Sequence, residues 1–472
     1  MRFIVSDHIE GSHGFGKWKY SHDNDVHTWT DGDRLCLWFG YSIEQNLEEI
    51  IKENNMPGAN GKFCVVMLWK DKMEVYTDYF SQSKIYYNTK GGITVTNHLA
   101  SLPHTEQDID KTIIDKFAQG WGDGAPLYAC KDPMNMKYID DWNTFSTDQT
   151  LFANTSSIPR DHMLLHDQKG TQLIQINNTY LHNLESFNQR LDWNYTQLED
   201  RIHECMEQHS KVIKNEYDYI CSSISEGIDS TLQDQYFNAD IRIMYHPEEP
   251  STAEELGPKE NILKQYHARQ KHFLFEIFDV KDIGAITTDN AIDPMLSYLD
   301  TIPTIWQVRS LKRKPDILLY GQCADEMFMH IPKFLMARVP PQHRERYKNS
   351  YGGRKSPARP FKDPYNGQWH KDWQERFATM AIPALYNRDI ENQTGVLTTS
   401  LYADRRIFNL VHQVNANIQL ESMANVTPQR NILQNHFAFP FHTKLKDGAG
   451  YECRMVLKHL LTDTVNRCIR HQ

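Results

Sequence analysis

A chain of 472 residues is too long for a single hydrophobic core and calls for two or three domains. Its 40% hydrophobic and 24% charged residues match an ordinary globular protein, and a formal net charge of −10 argues against a general nucleic-acid binder. The eight cysteines are scattered without a Cys-x-x-Cys pair, which excludes the common zinc spacings and suits a reduced, intracellular protein. No stretch approaches the ~18 uninterrupted apolar residues of a membrane helix. The segment Met1-Arg2-Phe3-Ile4-Val5-Ser6-Asp7-His8 lacks the apolar centre of a signal peptide, so the expectation is a cytoplasmic protein.

The first part of the chain reads as β-rich. Residues 35–41, 62–69 and 73–77 are predicted strands, the last two joined by a turn at Lys70-Asp71-Lys72. A second hairpin is predicted from 85–87 and 93–96 around Gly91-Gly92, and a third from 163–166 and 172–175 around Lys169-Gly170. The glycine-containing run from His8 to Gly16 has no long strand before it or helix after it and reads as a turn. His162 and His166 fall on a predicted strand, where residues four apart lie ~13 Å from each other, too far to share a metal. Near residue 194 the pattern changes: Thr196-Gln197-Leu198-Glu199 has the form of a capping box, and Leu198, Ile202, Met206 and Ile213 follow at helical spacing. Tyr217-Asp218-Tyr219-Ile220, residues 241–245 and residues 316–321 are further predicted strands, with a polar helix from Glu260 to His272. Strands alternating with helices imply a parallel sheet with ligand chemistry at its carboxyl ends. The Arg- and Lys-rich run from Arg344 to Lys362 reads as an irregular loop that could meet an acidic partner.

Two loops at the ends of these strands carry the chemistry. Ser225-Glu226-Gly227-Ile228-Asp229-Ser230 is a small-residue turn leading into a helix, suited to wrap backbone N–H groups around a phosphate. Gly321-Gln322-Cys323-Ala324-Asp325-Glu326 is a second acid-bearing turn. Asp229 and Asp325, each just beyond a glycine, are placed to share one Mg²⁺ on a nucleotide triphosphate.

The second half resembles the synthetase domain of the asparagine synthetase B family, together with the β-lactam and carbapenam synthetases. Those enzymes pair a Ser-Gly-Gly-x-Asp-Ser loop with a downstream Leu-Ser-Gly-x-Gly-Ala-Asp-Glu loop, here Leu319 to Glu326. Their Pro-Phe-Leu-Asp segment, Lys-x-x-Leu-Leu-Arg helix and lysine loop are echoed by residues 401–406, 430–434 and 444–450. The first half resembles the family's glutaminase domain at Asn60 to Cys64, Thr77 to Phe80, Lys84 to Tyr87 and Thr96 to Leu102. The resemblance implies a mixed α/β and α+β protein of two domains. Residues 1–190 would form an Ntn-hydrolase-like sheet sandwich. Residues 191–472 would form a PP-loop ATP pyrophosphatase domain with a parallel sheet and helices.

It also implies ATP and Mg²⁺ as cofactors, and AMP-forming amide synthesis from a small-molecule or peptide carboxylate and an amine or ammonia. Ser225, Glu226, Gly227, Ser230 and Gly321 would line the pyrophosphate, Ile224 and Met244 the adenine, and Asp229 and Asp325 the metal. Lys444 would stabilise the developing charge, although a gapless match places His442 there. The chain departs from the family in four places. Arg2 replaces the nucleophilic cysteine, so glutamine hydrolysis by that route is not expected. Glu226 replaces a glycine beside the phosphates, where two like charges ~4 Å apart repel by about 1–4 kcal/mol. Gln322 stands at the position of the second-step base, and Cys323 at that of another glycine, a substitution that requires a backbone free of positive φ. Alternative readings are the same chemistry on a carboxylate other than aspartate, and a catalytically inactive scaffold.

Overall fold

Continuous apolar runs and short alternating segments build three sheets. The structure, a computed structural model, describes residues 1–98, 101–102, 108, 152–159, 162–176, 195–224, 227–247, 274–278, 301–328, 387, 390–413 and 427–439. The first sheet is antiparallel, in the order β10 (Thr155–Ser157), β8 (Tyr86–Asn88), β9 (Thr94–Thr96), β1 (Phe3–Ser6), β3 (Trp18–His22), β2 (His13–Phe15). The second, also antiparallel, runs β12 (Gly170–Gln175), β11 (His162–Asp167), β7 (Met73–Thr77), β6 (Gly61–Leu68), β5 (Leu35–Ser42), β4 (His27–Thr30). Phe3, Val5 and Val95 of the first sheet share a core with Leu37, Phe39, Val66 and Val75 of the second. The alternate residues Cys36, Trp38, Phe63, Val65 and Met67 turn the other way and pack with α1 (Leu47–Glu53). Covered on both faces, β6 is buried along its whole length, which is why its sequence reads as an unbroken apolar run.

The three predicted hairpins form as paired strands. The four strands before β5, β1 to β4, carry no legible signal in the sequence. The run from 8 to 16 is more than a turn, because His13–Phe15 pairs with β3 as an edge strand. Edge strands this short and exposed carry little of the period-two apolar signal. His162 and His166 both lie on β11, as expected.

α2 (Tyr195–Glu216) buries Leu198, Ile202, Met206 and Ile213. Its expected capping box does not close: the helix already includes Tyr195, and the Glu199 carboxylate accepts a hydrogen bond from Asn431 Nδ2 at 2.6 Å. The following strand, β13 (Ile220–Ile224), starts later than predicted, so Cys221, Ser222 and Ser223 are strand rather than turn. The third sheet is parallel throughout, in the order β15 (Leu274–Phe278), β14 (Ile241–Pro247), β13, β16 (Ile317–Tyr320), β17 (Leu397–Thr399). The chain builds outward from β13 to β15, then returns to the other side of β13 with β16. That reversal makes the carboxyl ends of β13 and β16 the switch point, where open parallel sheets leave a crevice. The predicted polar helix at 260–272 and the basic run from Arg344 to Lys362 lie outside the described residues.

One core spans the antiparallel sheets and the parallel one, and its seam is polar. Gly40, with φ +92°, lets β5 approach β6 so closely that a Cβ would sit 2.1 Å from the Lys62 carbonyl oxygen. Asp78, just after β7, is fully buried and accepts hydrogen bonds from the backbone N–H groups of Gln82 and Ser83, both at 2.9 Å. Burial pushes its carboxyl up to about 6, against the pull of those N–H groups and of Lys62; Glu391 raises it further. The folded protein therefore holds this proton more tightly than the unfolded chain does. Asp78 costs stability progressively as pH rises from the ordinary carboxylate range through about 6. Lowering the pH from about 7.5 to about 5 is expected to favour the wild type over Asp78→Asn by on the order of 1 kcal/mol in urea midpoints. A slope of the opposite sign would show that the carboxylate form is the one the fold prefers.

Candidate active site

β13 and β16 deliver the two predicted loops to the switch point side by side, with Ser222 paired to Leu319 and Ser223 to Tyr320. Ile224, the last residue of β13, pairs with Met244 of β14, and both are buried. The Met244 carbonyl accepts from Gln307 Nε2 of α4 (Thr301–Ser310) at 2.6 Å. Ser225 and Glu226 lie outside the described residues. Gly227 begins α3 (Ile228–Gln235) in an extended conformation without a side-chain cap. Its carbonyl accepts from the hydroxyls of Ser230 (3.3 Å) and Thr231 (2.8 Å). Asp229 occupies the first turn of α3, where a helix presents N–H groups and positive potential.

The second loop packs directly on the first. A Cβ on Gly321 would lie 3.1 Å from the Cα, Cβ and N of Ser230, so glycine is what permits this approach. Gln322 bends the chain by donating its N–H to the Tyr320 carbonyl at 2.8 Å. Asp325 lies in the short helix α5 (Ala324–Met327); its side chain falls outside the described residues, as do Lys444 and His442.

Cys323, the residue before α5, adopts φ +75° and ψ −15° and is completely buried. The sequence-based condition for tolerating a cysteine here, a backbone without positive φ, is therefore not met. The left-handed conformation costs a residue with a Cβ about 1–2 kcal/mol. Cys323→Gly is accordingly expected to be more stable than Cys323→Ala by about 1 kcal/mol, the reverse of the usual order of these residues in a helix. Chemical denaturation of the two variants checks this, and an alanine variant as stable as the glycine one would contradict it.

Sequence reasoning missed the side chains that tie the loops together. Tyr402 donates its hydroxyl to the Asp229 carbonyl at 2.9 Å, and Gln233 accepts from the Leu401 N–H at 2.8 Å. Ser400 Oγ donates to the Gln322 carbonyl at 2.5 Å. Gln429 of α7 (Thr427–Phe437) donates to Asp229 Oδ1 at 3.3 Å. Residues 401–406 were already conspicuous in the sequence, but nothing local indicates that they reach back across 170 residues. Asp404 is itself fully buried, bound by the Arg406 guanidinium at 2.7 to 3.2 Å and by Asn60 Nδ2 at 3.1 Å. Arg406 belongs to α6 (Arg405–Gln413).

Arg2 precedes β1 and donates to the Asn392 carbonyl at 3.2 Å. The described cysteines, 36, 64, 205, 221 and 323, are all buried. Burial pushes the Cys36 thiol up to about 12 and the Cys205 thiol up to about 11, far from nucleophilic thiolates.

No protein-family pattern matches this sequence, and no curated protein matches it significantly. Among solved structures, the chain is similar to an allosteric regulatory enzyme of purine biosynthesis at 8% identity and a TM-score of 0.23, covering 58% of this chain and 74% of that one. It is also similar to glutamine phosphoribosylpyrophosphate amidotransferase from B. subtilis complexed with ADP and GMP, at 9% identity and a TM-score of 0.21. That match covers 56% of this chain and 64% of the other. Likenesses this slight carry no argument about fold or activity.

Proposed function

We propose that the chain is an ATP-dependent, AMP-forming carbon–nitrogen ligase, similar to asparagine synthetase, that works without hydrolysing glutamine. One observation carries the reading: two acid-bearing loops meet at the switch point of a parallel sheet, Gly321 against Ser230, with Asp229 in the first turn of α3. In this reading residues 1–190 are an Ntn-hydrolase-like domain without its nucleophile, and residues 191–472 are the PP-loop synthetase domain. The backbone amides of Ser225, Gly227 and Ser230 would hold pyrophosphate, while Ile224 and Met244 would lie towards adenine. Asp229 and Asp325 would hold Mg²⁺, which supplies charge neutralisation on the triphosphate. A substrate carboxylate oxygen bonds to the α-phosphorus as the bond to the bridging oxygen breaks, giving an acyl-adenylate and pyrophosphate. An amine or ammonia then bonds to the acyl carbon, the carbon–oxygen bond to AMP breaks, and the proton the nitrogen loses passes to the departing phosphate or to water. Lys444 would offset charge on the phosphate and acyl oxygens. Gln322, a neutral amide, could orient the amine but not take its proton.

ATP–pyrophosphate exchange over a panel of carboxylates tests this. Exchange with aspartate would support an asparagine-forming enzyme. Exchange only with another acid would point to cyclisation or modification of a different carboxylate. No exchange, together with no ATP binding in calorimetry, would overturn the ligase reading and leave the scaffold. Glu226→Gly removes a like charge worth about 1–4 kcal/mol at the phosphates and is expected to raise exchange about tenfold or more. Loss of exchange in that variant would instead show that the glutamate is used.

A further inference from the structure

The segment from Asn387 to Arg406 is gripped from two sides. One side holds the candidate site: Ser400, Leu401 and Tyr402 bond to Gln322, Gln233 and Asp229. The other side is held by polar side chains of the antiparallel sheets. Tyr41 shares a hydrogen bond with Thr399 Oγ1 at 2.6 Å and another with His209 Nε2 at 2.7 Å. The Lys62 ammonium donates to the Thr398 carbonyl and to the Glu391 carboxylate. Asn60 donates to Asp404 Oδ1 at 3.1 Å and accepts from the Arg405 N–H at 3.2 Å. Gln82 accepts from Asn387 Nδ2 at 3.3 Å and donates to Cys323 Sγ, inside the second loop, at 3.6 Å. Tyr41, Asn60, Lys62 and Gln82 are each at most 2% exposed.

Such burial is costly. An ammonium or amide taken out of water repays its desolvation only when its partners are fixed, and an apolar seam would hold two layers together at least as well. What a polar seam adds is a defined register between its two sides. Every one of these groups spends that register on the same short segment, and Gln82 reaches the second loop directly. Asp78 fixes Gln82 in turn, through the backbone N–H groups of the turn that carries it.

We propose that the antiparallel sheets serve as the positioning frame for the two acid-bearing loops, with Gln82 as the principal positioning residue and Tyr41 as the second. The effect on nucleotide use rests on the ligase reading above; the effect on loop order does not. The test uses the full chain with Gln82→Met, which keeps the length of the side chain and removes its amide, and Tyr41→Phe, which removes one hydroxyl. Hydrogen-exchange mass spectrometry is expected to show peptides covering 317–324 and 397–404 exchanging at least about tenfold faster in Gln82→Met. Peptides over β5 and β6 should stay within about twofold of wild type. In ATP–pyrophosphate exchange the same variant should raise the KM for ATP about fivefold or more with kcat within about twofold, a split that general destabilisation does not produce. Unchanged loop protection in both variants would overturn the proposal. Faster loop exchange in a protein whose wild type fails to turn over ATP would support the positioning frame and remove only the ligase reading.

Discussion

Asp229→Asn is expected to lower ATP–pyrophosphate exchange by roughly 10²–10³-fold, the scale on which losing one electrostatic contact to a developing charge reduces turnover. The substitution keeps the size of the side chain and an oxygen that can accept from Gln429, so the fold should lose no more than ~1 kcal/mol. What disappears is the negative charge in the first turn of α3, beside the place where Gly321 and Ser230 meet. Raising Mg²⁺ should recover part of the activity if the defect is metal affinity, which separates this cause from damage to the loop. Exchange equal to wild type in Asp229→Asn would remove Asp229 from the proposed metal site.

The largest effect on stability is expected at Arg242. This guanidinium, on β14, is 1% exposed; its Nε lies 2.9 and 3.0 Å from the two carboxylate oxygens of Asp234 on α3, and its Nη1 donates to the Ala239 carbonyl at 3.0 Å. Asp234 has no exposure at all. Arg242→Met leaves that carboxylate buried without its cation and should cost about 3–5 kcal/mol in urea denaturation. Converting both partners, Asp234→Leu with Arg242→Met, removes the stranded charge and should recover most of the loss. The pair anchors the helix that carries Asp229, so on the proposed ligase reading the single variant should also weaken nucleotide binding while the double variant retains it. A single variant losing under ~1 kcal/mol would show that water or another group reaches Asp234.

Much of the scaffold was legible because its cause is local. The fully buried β6, the hairpins at Lys70 to Lys72 and Lys169-Gly170, and the helix through Leu198, Ile202, Met206 and Ile213 each announce themselves by apolar periodicity. The two strand–glycine–acid units were likewise readable, and the sheet brings them together as adjacent strands. Errors fell where polarity and burial part company. β13 was placed too early because Ser222 and Ser223 look like turn residues, yet Ser222 has no exposure in the centre of a parallel sheet. β2 and β4 leave no signal in the sequence because edge strands need little apolar content.

Cys323 shows the same division within the site. From the sequence, a cysteine in place of glycine carries a condition on φ; only the folded backbone, at +75°, reveals that the strained conformation is present. The seam of Tyr41, Asn60, Lys62 and Gln82 is less readable still. Each is an ordinary polar residue in its own neighbourhood, and each is buried only because a partner more than 150 positions away satisfies it. The pattern of side chains along the chain was enough to identify the strands, the long helix and the small-residue turns with their acids, since these depend on neighbours a few residues apart. Strand order, the meeting of the two loops and the grip of the antiparallel sheets on residues 387–406 came only from the tertiary structure. Which buried polar groups find partners is a property of long-range geometry, and no local signal encodes it.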